Sequence, residues 1–138
     1  MFENFIRVTP DKEKAVSISK MVGVSLERIK ETNKARYTSN IIKDYFDCLR
    51  ELMSIIALLD GYKAYGEGSH KALIEYLESE YKEFTRGEIE LFYDLSVKRN
   101  KISYDGFFIT LEYLKAREKF IHLLINKLNK IIEEKLQT

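Results

Sequence analysis

The 138-residue sequence predicts an all-α protein, and three observations support that prediction. Apolar residues recur at intervals of three, four and seven along nearly the whole chain, which is the periodicity of helices with one buried face. The chain has one proline, and it lies where a helix can begin. Three of the six glycines fall within segment 61–69, the clearest loop. We therefore predict an up-down four-helix bundle with an additional short helix, forming a single domain over residues 1–138.

The first two predicted helices form the N-terminal half of this fold. Thr9 is the expected N-cap of the first helix and Pro10 its first helical residue, and the helix is expected to fade near residues 32–33. Thr38 or Ser39 is the expected N-cap of the second helix, which ends at Gly61. Apolar residues cover several sides of the second helix, so we expect it to lie at the centre of the fold.

Three further helices are predicted after the glycine-rich loop. Ser69 is the expected cap of a short third helix. Thr85 and Glu88 form a capping box that opens the fourth helix, and Gly106 closes that helix. The apolar segment 107–109 is expected to be buried. Thr110 then caps a last helix of some 26 residues, long enough to offer part of its apolar face to a partner chain.

Composition limits the classes of function. The 23 basic and 22 acidic side chains nearly cancel, so the chain as a whole has no strong attraction to nucleic acid or to an anionic membrane. No apolar run is long enough to span a bilayer and no signal peptide is recognisable, which predicts a cytoplasmic protein without a membrane partner. The single cysteine excludes an internal disulfide, and two distant histidines predict neither a metal site nor a cofactor. Abundant Lys, Glu and Ile with a single Gln suggest a thermophilic source.

Arg99 is the most informative residue of the chain. It lies seven residues after Phe92 and four after Leu95, on the apolar face of the fourth helix. An unpaired buried charge is costly, so Arg99 should meet an acid, a cleft or another subunit. Asn100 and Tyr104 flank it and complete a compact polar patch.

Two interpretations of Arg99 remain open at this stage. The guanidinium can hold a phosphate bidentately, or it can form a buried ion pair with Asp44, Asp47 or Glu51 of the central helix. Tyr104 can likewise donate to a phosphate, stack on a base or accept a modification from a nucleotidyltransferase, or it can merely lie near a helix end with its hydroxyl in water.

The neighbouring residues are also open to more than one interpretation. Lys98 and Lys101 either extend the patch or simply favour the negative end of the helix. Most of the aromatic residues lie at core spacing. A structural role is expected for His122, and His70 is a weak alternative base.

The patch resembles the motif of the HEPN superfamily, which is Arg, four to six residues, then His, often with Asn directly after the Arg. Arg99 and Asn100 match its first half, and Tyr104 stands where His is usual. Some branches carry Tyr there beside an acid, which Asp105 fits. Segments 45–51, 59–63 and 70–73 also look like HEPN proteins of this size. The resemblance spans roughly residues 11–135.

The resemblance implies a small helical bundle that forms a homodimer with two Arg motifs facing each other. Many members are metal-independent ribonucleases, including toxins of toxin–antitoxin pairs, and others bind nucleotides without cleaving RNA. The implied catalytic residues are Arg99, Asn100 and Tyr104, and the implied ligand-binding residues are Lys98, Lys101 and Asp105. Because a tyrosine side chain is a poor base at neutral pH, weak or absent RNA cleavage is expected.

Two alternatives to RNA or nucleotide binding follow from the same sequence. The chain can be the non-catalytic partner of a small nucleotidyltransferase antitoxin, since some HEPN proteins have that role. It can also be a purely structural bundle, with Arg99 neutralised inside one chain.

Overall fold

A computed structural model describes residues 4–138, and within them it contains five α-helices and two short β-strands. The elements in chain order are β1 (Phe5–Arg7), α1 (Lys12–Glu31), α2 (Thr38–Leu59), β2 (Tyr62–Ala64), α3 (Ser69–Glu80), α4 (Arg86–Asp105) and α5 (Leu111–Leu136). The mostly helical architecture agrees with the predicted all-α class. The finer topology of an up-down four-helix bundle stays a prediction.

The two strands were not expected from the sequence. They pair antiparallel, with Phe5 opposite Ala64. The Val8 amide extends the pairing by donating to the Gly61 carbonyl at 2.9 Å. Strands of three residues are too short to show the alternating pattern that identifies a strand. Their pairing ties the N-terminal segment to the chain that leaves α2.

Helix α2 forms the centre of the core, as its apolar residues on several sides predicted. It packs against α1, α3, α4 and α5. Its buried residues are Thr38, Ile41, Ile42, Tyr45, Phe46, Cys48, Leu49, Leu52, Met53, Ile55, Ile56 and Ala57. Every other helix therefore positions its side chains relative to α2.

Three of the predicted helix ends are confirmed. Thr85 and Glu88 form the capping box of α4, with the Glu88 amide donating to Thr85 Oγ1 at 3.2 Å and the Thr85 amide donating to Glu88 Oε1 at 2.8 Å. Gly106 ends α4 in the left-handed conformation at φ 62°. Thr110 caps α5 by accepting from the Tyr113 amide, and α5 has the predicted 26 residues.

The predicted start of α1 is wrong by two residues. Asp11, not Thr9, is the N-cap, and its Oδ1 accepts a hydrogen bond from the Lys14 amide at 3.0 Å. Pro10 therefore precedes the helix instead of opening it. An Asp at this place satisfies a free amide and also adds negative charge at the positive end of the helix, which Thr9 lacks.

The predicted caps of α2 and α3 are also wrong, because other contacts use those side chains. The Thr38 hydroxyl donates back to the Lys34 carbonyl at 2.6 Å, and Ser39 Oγ accepts from the Ile109 amide at 2.8 Å. Neither side chain caps α2. Gly68, at φ 82°, is the N-cap of α3 in place of Ser69, so no side chain caps this helix either.

The predicted burial of segment 107–109 is wrong for two of its three residues. Phe107 is 47% exposed and Phe108 is 86% exposed, whereas Ile109 is only 7% exposed. The left-handed turn at Gly106 redirects the chain. The hydrogen bond from the Ile109 amide to Ser39 Oγ holds only Ile109 against α2. Two aromatic rings are consequently left at the surface beside the end of α4.

Candidate functional site: a cleft between the β2–α3 loop and α4

All six predicted site residues belong to α4, but they point in different directions. They are Lys98, Arg99, Asn100, Lys101, Tyr104 and Asp105. Consecutive residues of a helix are turned by about 100° from one another, so only those three or four apart share a face. Asn100 and Tyr104 share one, and both line the same cleft.

This cleft is open to solvent and has a volume of about 440 Å³. One wall is the β2–α3 loop with the first turn of α3, and the other is α4. Its lining residues are Gly66, Glu67, Gly68, Ser69, His70, Lys71, Ser96, Asn100 and Tyr104. Tyr104 is 77% exposed, so its ring and hydroxyl are accessible to a ligand.

The N-terminus of α3 borders the cleft without a capping side chain. Gly68 occupies the N-cap position and supplies no side-chain acceptor. Asn4 braces the preceding loop, because its Nδ2 donates to the carbonyls of Tyr65 at 3.1 Å and Glu67 at 2.7 Å. Free amides and the positive end of the helix dipole both favour an anion at such a position.

Arg99 does not line the cleft; it turns toward α2 and meets Asp47. Arg99 Nε lies 3.4 Å from Asp47 Oδ1, and the two side chains are 20% and 33% exposed. An ion pair within one chain, left open by the sequence, is therefore formed, with Asp47 and neither of the other two candidate acids as partner.

This pair is poorly satisfied. Within the described chain, Asp47 Oδ1, Arg99 Nε and Arg50 Nε are buried and make no hydrogen bond. We call these three residues the Asp47 cluster. Buried polar atoms without hydrogen bonds are rare in folded proteins, and they are a feature of functional sites as well as of strain.

His70, predicted from the sequence only as a weak alternative base, lies at the cleft. It lies in the first turn of α3, lines the cleft, and packs against the buried Phe46 ring with centroids 5.6 Å apart. Burial lowers its pKa below the ordinary value, and the positive charges of Arg50 and Arg99 lower it further, while Asp47 acts in the opposite direction. The ring is therefore mainly neutral at pH 7. Its approach to the Asp47 cluster depends on tertiary packing, for which the sequence carries no signal.

The remaining predicted ligand-binding residues lie away from the cleft. Lys98 Nζ is 3.2 Å from Asp94 Oδ1 and 5.5 Å from the centre of the Tyr113 ring, so it is directed toward α5. Lys101 Nζ is 5.6 Å from the centre of the Phe107 ring. Asp105 is the exposed last residue of α4. The basic cluster predicted around Arg99 is thus divided among three directions.

Exposed aromatic rings follow the cleft along the chain. Tyr104 lines the cleft, and Phe107 and Phe108 come directly after α4; we call these three residues the exposed aromatic segment. The expectation of burial is wrong for Phe107 and Phe108, whereas Tyr104 is a predicted site residue. Lys101 against Phe107 adds a cation to the segment. Exposed rings next to cations are typical of surfaces that bind single-stranded nucleic acid.

His122 belongs to a separate polar cluster between α2 and α5. The Tyr45 hydroxyl donates to Glu118 Oε2 at 2.7 Å and lies 3.1 Å from His122 Nε2, and Lys34 Nζ is 2.7 Å from Glu118 Oε1. Burial and the bond to Glu118 raise the pKa of Tyr45 far above its ordinary value. Each of these four side chains has a partner, which agrees with a structural role for His122.

The described part of the chain shows neither a metal-ion cluster nor a membrane span. Among residues 4–138, no three His, Cys, Asp or Glu side chains are grouped so that they can hold a metal ion. No helix there combines the length and apolar character that a membrane span requires. Cys48 is buried, and burial raises the pKa of its thiol to about 12.

Comparisons of the chain with known protein families, with curated proteins and with solved structures found no match. The likeness to the HEPN superfamily therefore stays a prediction from the sequence motif. The cleft, its charges and the exposed aromatic segment are the observations from which a function can be inferred.

Proposed function

We propose that the chain binds RNA or a nucleotide in this cleft, with single-stranded RNA the favoured ligand. The observation that supports this most directly is the meeting of Asn100, Tyr104 and His70 in one open cleft. An amide, a phenol and an imidazole can contact a phosphate and a base edge together. The uncapped N-terminus of α3 favours the phosphate at the same place.

The charges near the cleft nearly cancel. Arg50 and Arg99 are balanced by their ion-pair partners Glu51 and Asp47, and Lys71 at the cleft offsets Glu67. In this proposal Arg99 acts on the ligand only through its positive charge, because it does not line the cleft. Only a few phosphates can be neutralised here, so we expect modest affinity that weakens with salt.

The exposed aromatic segment favours single strands over duplexes. Bases that stack on such rings must be unpaired, and each stack contributes about 1–3 kcal/mol to binding. Phe108, with 86% of its surface exposed, is the strongest candidate for a stacking platform. A free mononucleotide would leave part of the segment unused.

We also propose a HEPN-like bundle and a homodimer, with an interface away from Arg99 and therefore different from the facing Arg motifs that the resemblance implies. Leu91, Phe120 and Leu123 line an apolar groove of about 360 Å³ beside Arg117. Phe120 and Leu123 are 55% and 51% exposed, so a second copy that covers them would bury apolar surface. Light scattering at increasing concentration tests this, and a persistent monomer would contradict it.

The same groove supports the alternative function of partner subunit. A nucleotidyltransferase that covers Phe120 and Leu123 would use the face that the dimer otherwise uses. A stable complex of the purified pair, lost in Phe120→Asp, would favour this alternative. RNA binding that is unaffected by Phe120→Asp would favour RNA binding in the cleft.

Fluorescence anisotropy with a labelled single-stranded RNA tests the main proposal. We expect Tyr104→Ala and Asn100→Ala to weaken binding at least fivefold, because both side chains line the cleft. Tyr104→Phe should bind within twofold of wild type if the ring stacks. Asn126→Ala is the matched control, since Asn126 is exposed on α5 outside the cleft. Equal binding by all variants would refute the proposal.

A further inference from the structure

We infer that His70 is the general base of a metal-independent RNA cleavage in the cleft, a role that rests on the RNA binding proposed above. The sequence motif directs attention to Tyr104 as the proton carrier. The folded chain instead places His70 on the opposite wall of the same cleft.

The position of His70 suits proton transfer to a bound ligand. Its ring packs against Phe46, which is fully buried, and this contact limits ring motion. His70 also lines the cleft, with Asn100 and Tyr104 across it on α4. A base held against the core while one side meets the ligand is pre-organised for catalysis.

The charged groups around His70 favour the form that accepts a proton. They are Asp47 and Arg50 from α2, Arg99 from α4, and Lys71 and Glu67 from the adjoining turn and loop. Burial, followed by the two arginines, lowers the pKa of the ring, so it is mainly neutral at pH 7. A neutral imidazole accepts a proton near neutral pH, and a phenol does not.

The reaction balances without a metal ion. A ring nitrogen of His70 takes the proton of a ribose 2′-hydroxyl, and the 2′ oxygen forms a bond to the adjacent phosphorus. The bond from phosphorus to the 5′ oxygen breaks, and that oxygen takes a proton from water in the open cleft. The hydroxide left behind takes the proton from His70. The products are a 2′,3′-cyclic phosphate and a 5′-hydroxyl, and the neutral ring is restored.

The negative charge that develops on the phosphate needs a stabilising environment. Lys71 and the free amides at the start of α3 lie on the same wall as His70. Donors fixed before the reaction stabilise such charge more effectively than mobile water does. His70 is therefore the group that turns a phosphate-binding cleft into a candidate ribonuclease site.

The test uses the full chain, a labelled single-stranded RNA and excess EDTA. Wild type should yield 2′,3′-cyclic phosphate ends, and His70→Gln should cleave at least 100-fold more slowly, the lower range for a lost general base. His122→Gln is the matched control, because it removes the other histidine of the chain outside the cleft. Binding of an uncleavable 2′-O-methyl RNA should weaken no more than about fivefold in His70→Gln, because His70 is one of several residues that line the cleft, and should stay within twofold in His122→Gln.

The pH profile adds a readout that a structural role would not change. The wild-type rate should fall as pH falls through the lowered pKa of His70, because the ring then gains a proton and loses its function as base. The slope should vanish in His70→Gln. Circular dichroism checks the fold, and His70→Asn replaces His70→Gln if the latter unfolds.

Each outcome separates the two claims. Cleavage by His70→Gln at the wild-type rate would overturn the role of His70. Wild-type binding without any cleavage would overturn it too, while leaving RNA binding intact. Loss of 2′-O-methyl RNA binding in His70→Gln would make His70 a binding group and no base. Absence of both binding and cleavage in wild type would overturn both proposals.

Discussion

Two carboxylates associated with α2 have opposite surroundings. Asp60, just after the helix, accepts hydrogen bonds at Oδ2 from the hydroxyls of Tyr76 and Tyr81, each at 2.6 Å, and its Oδ1 lies 2.5 Å from Lys135 Nζ. Asp47, in the middle of the helix, has an ion pair with Arg99 but a buried oxygen without a hydrogen bond. The first carboxylate joins α2, α3 and α5, and the second acts electrostatically on His70 at the cleft.

The contrast indicates where the fold is optimised for stability. A hydrogen bond to a charged group contributes about 1.5–3 kcal/mol, and a buried polar atom without a partner costs about 1–3 kcal/mol. The hydrogen bonds to Asp60 therefore stabilise the fold, and the unpaired buried atoms of the Asp47 cluster destabilise it. Local departures from good packing and pairing are expected at functional sites, which fits the position of the Asp47 cluster beside His70.

The largest expected effect is at Asp60. We expect Asp60→Ala to lower the free energy of unfolding by about 3 kcal/mol, because it removes one acceptor from two tyrosine hydroxyls and one lysine. Urea denaturation with an unchanged m-value measures this change. Glu133→Ala, an exposed acid of α5, is the control and should stay within about 0.5 kcal/mol. If Asp60→Ala lowers the free energy of unfolding by less than about 1 kcal/mol, the proposed difference in stability between Asp60 and Asp47 is wrong.

A smaller loss is expected in the Asp47 cluster. Arg99→Ala should cost about 1–2 kcal/mol, less than the 3–5 kcal/mol of a fully buried pair, because both side chains keep partial exposure. The double variant Asp47→Ala/Arg99→Ala should lose less than the sum of its parts, since each single change leaves one unpaired charge. Strict additivity in urea denaturation would show that the two residues do not interact.

The charges of Glu118 and Asp44 have opposite effects on the stability of the fold. Burial opposes ionisation of Glu118, but hydrogen bonds from Lys34 and Tyr45 outweigh it and lower the pKa. Its contribution is therefore present above the unfolded pKa, near 4.3, and is lost as pH falls through the lower folded pKa. Burial raises the pKa of Asp44, so its charge destabilises the fold at neutral pH.

Thermal melts between pH 7 and pH 3 test this pair of signs. We expect Glu118→Gln to be less stable than wild type at pH 7 and to lose less stability on acidification. Asp44→Asn should be slightly more stable than wild type at pH 7. The same direction of change in both variants at pH 7 would contradict the assignment.

Local sequence signals were sufficient for several elements. The Thr85–Glu88 capping box and Gly106 fixed both ends of α4 because the contacts that form them lie within a few residues. The apolar residues around α2 predicted its central place for a similar reason. A motif of six residues led to Asn100 and Tyr104, which do share a cleft.

Long-range contacts decided what the sequence could not predict. Ser39 is used by the Ile109 amide, 70 residues away, and so does not cap α2. Asn4 braces a loop more than 60 residues later. His70 and Arg99 come together only because α3 packs against α4 and α2. None of these long-range contacts produces a periodic pattern in the sequence.

The most direct test of RNA binding in the cleft is a nuclear magnetic resonance titration. The isotope-labelled full chain is titrated with a short single-stranded 2′-O-methyl RNA while its backbone amide signals are followed. We predict that the largest shifts fall in segments 66–71 and 96–108, which contain the cleft and the exposed aromatic segment. Saturable shifts confined to the groove around Phe120 and Leu123, or no shifts at millimolar RNA, would contradict the proposed function.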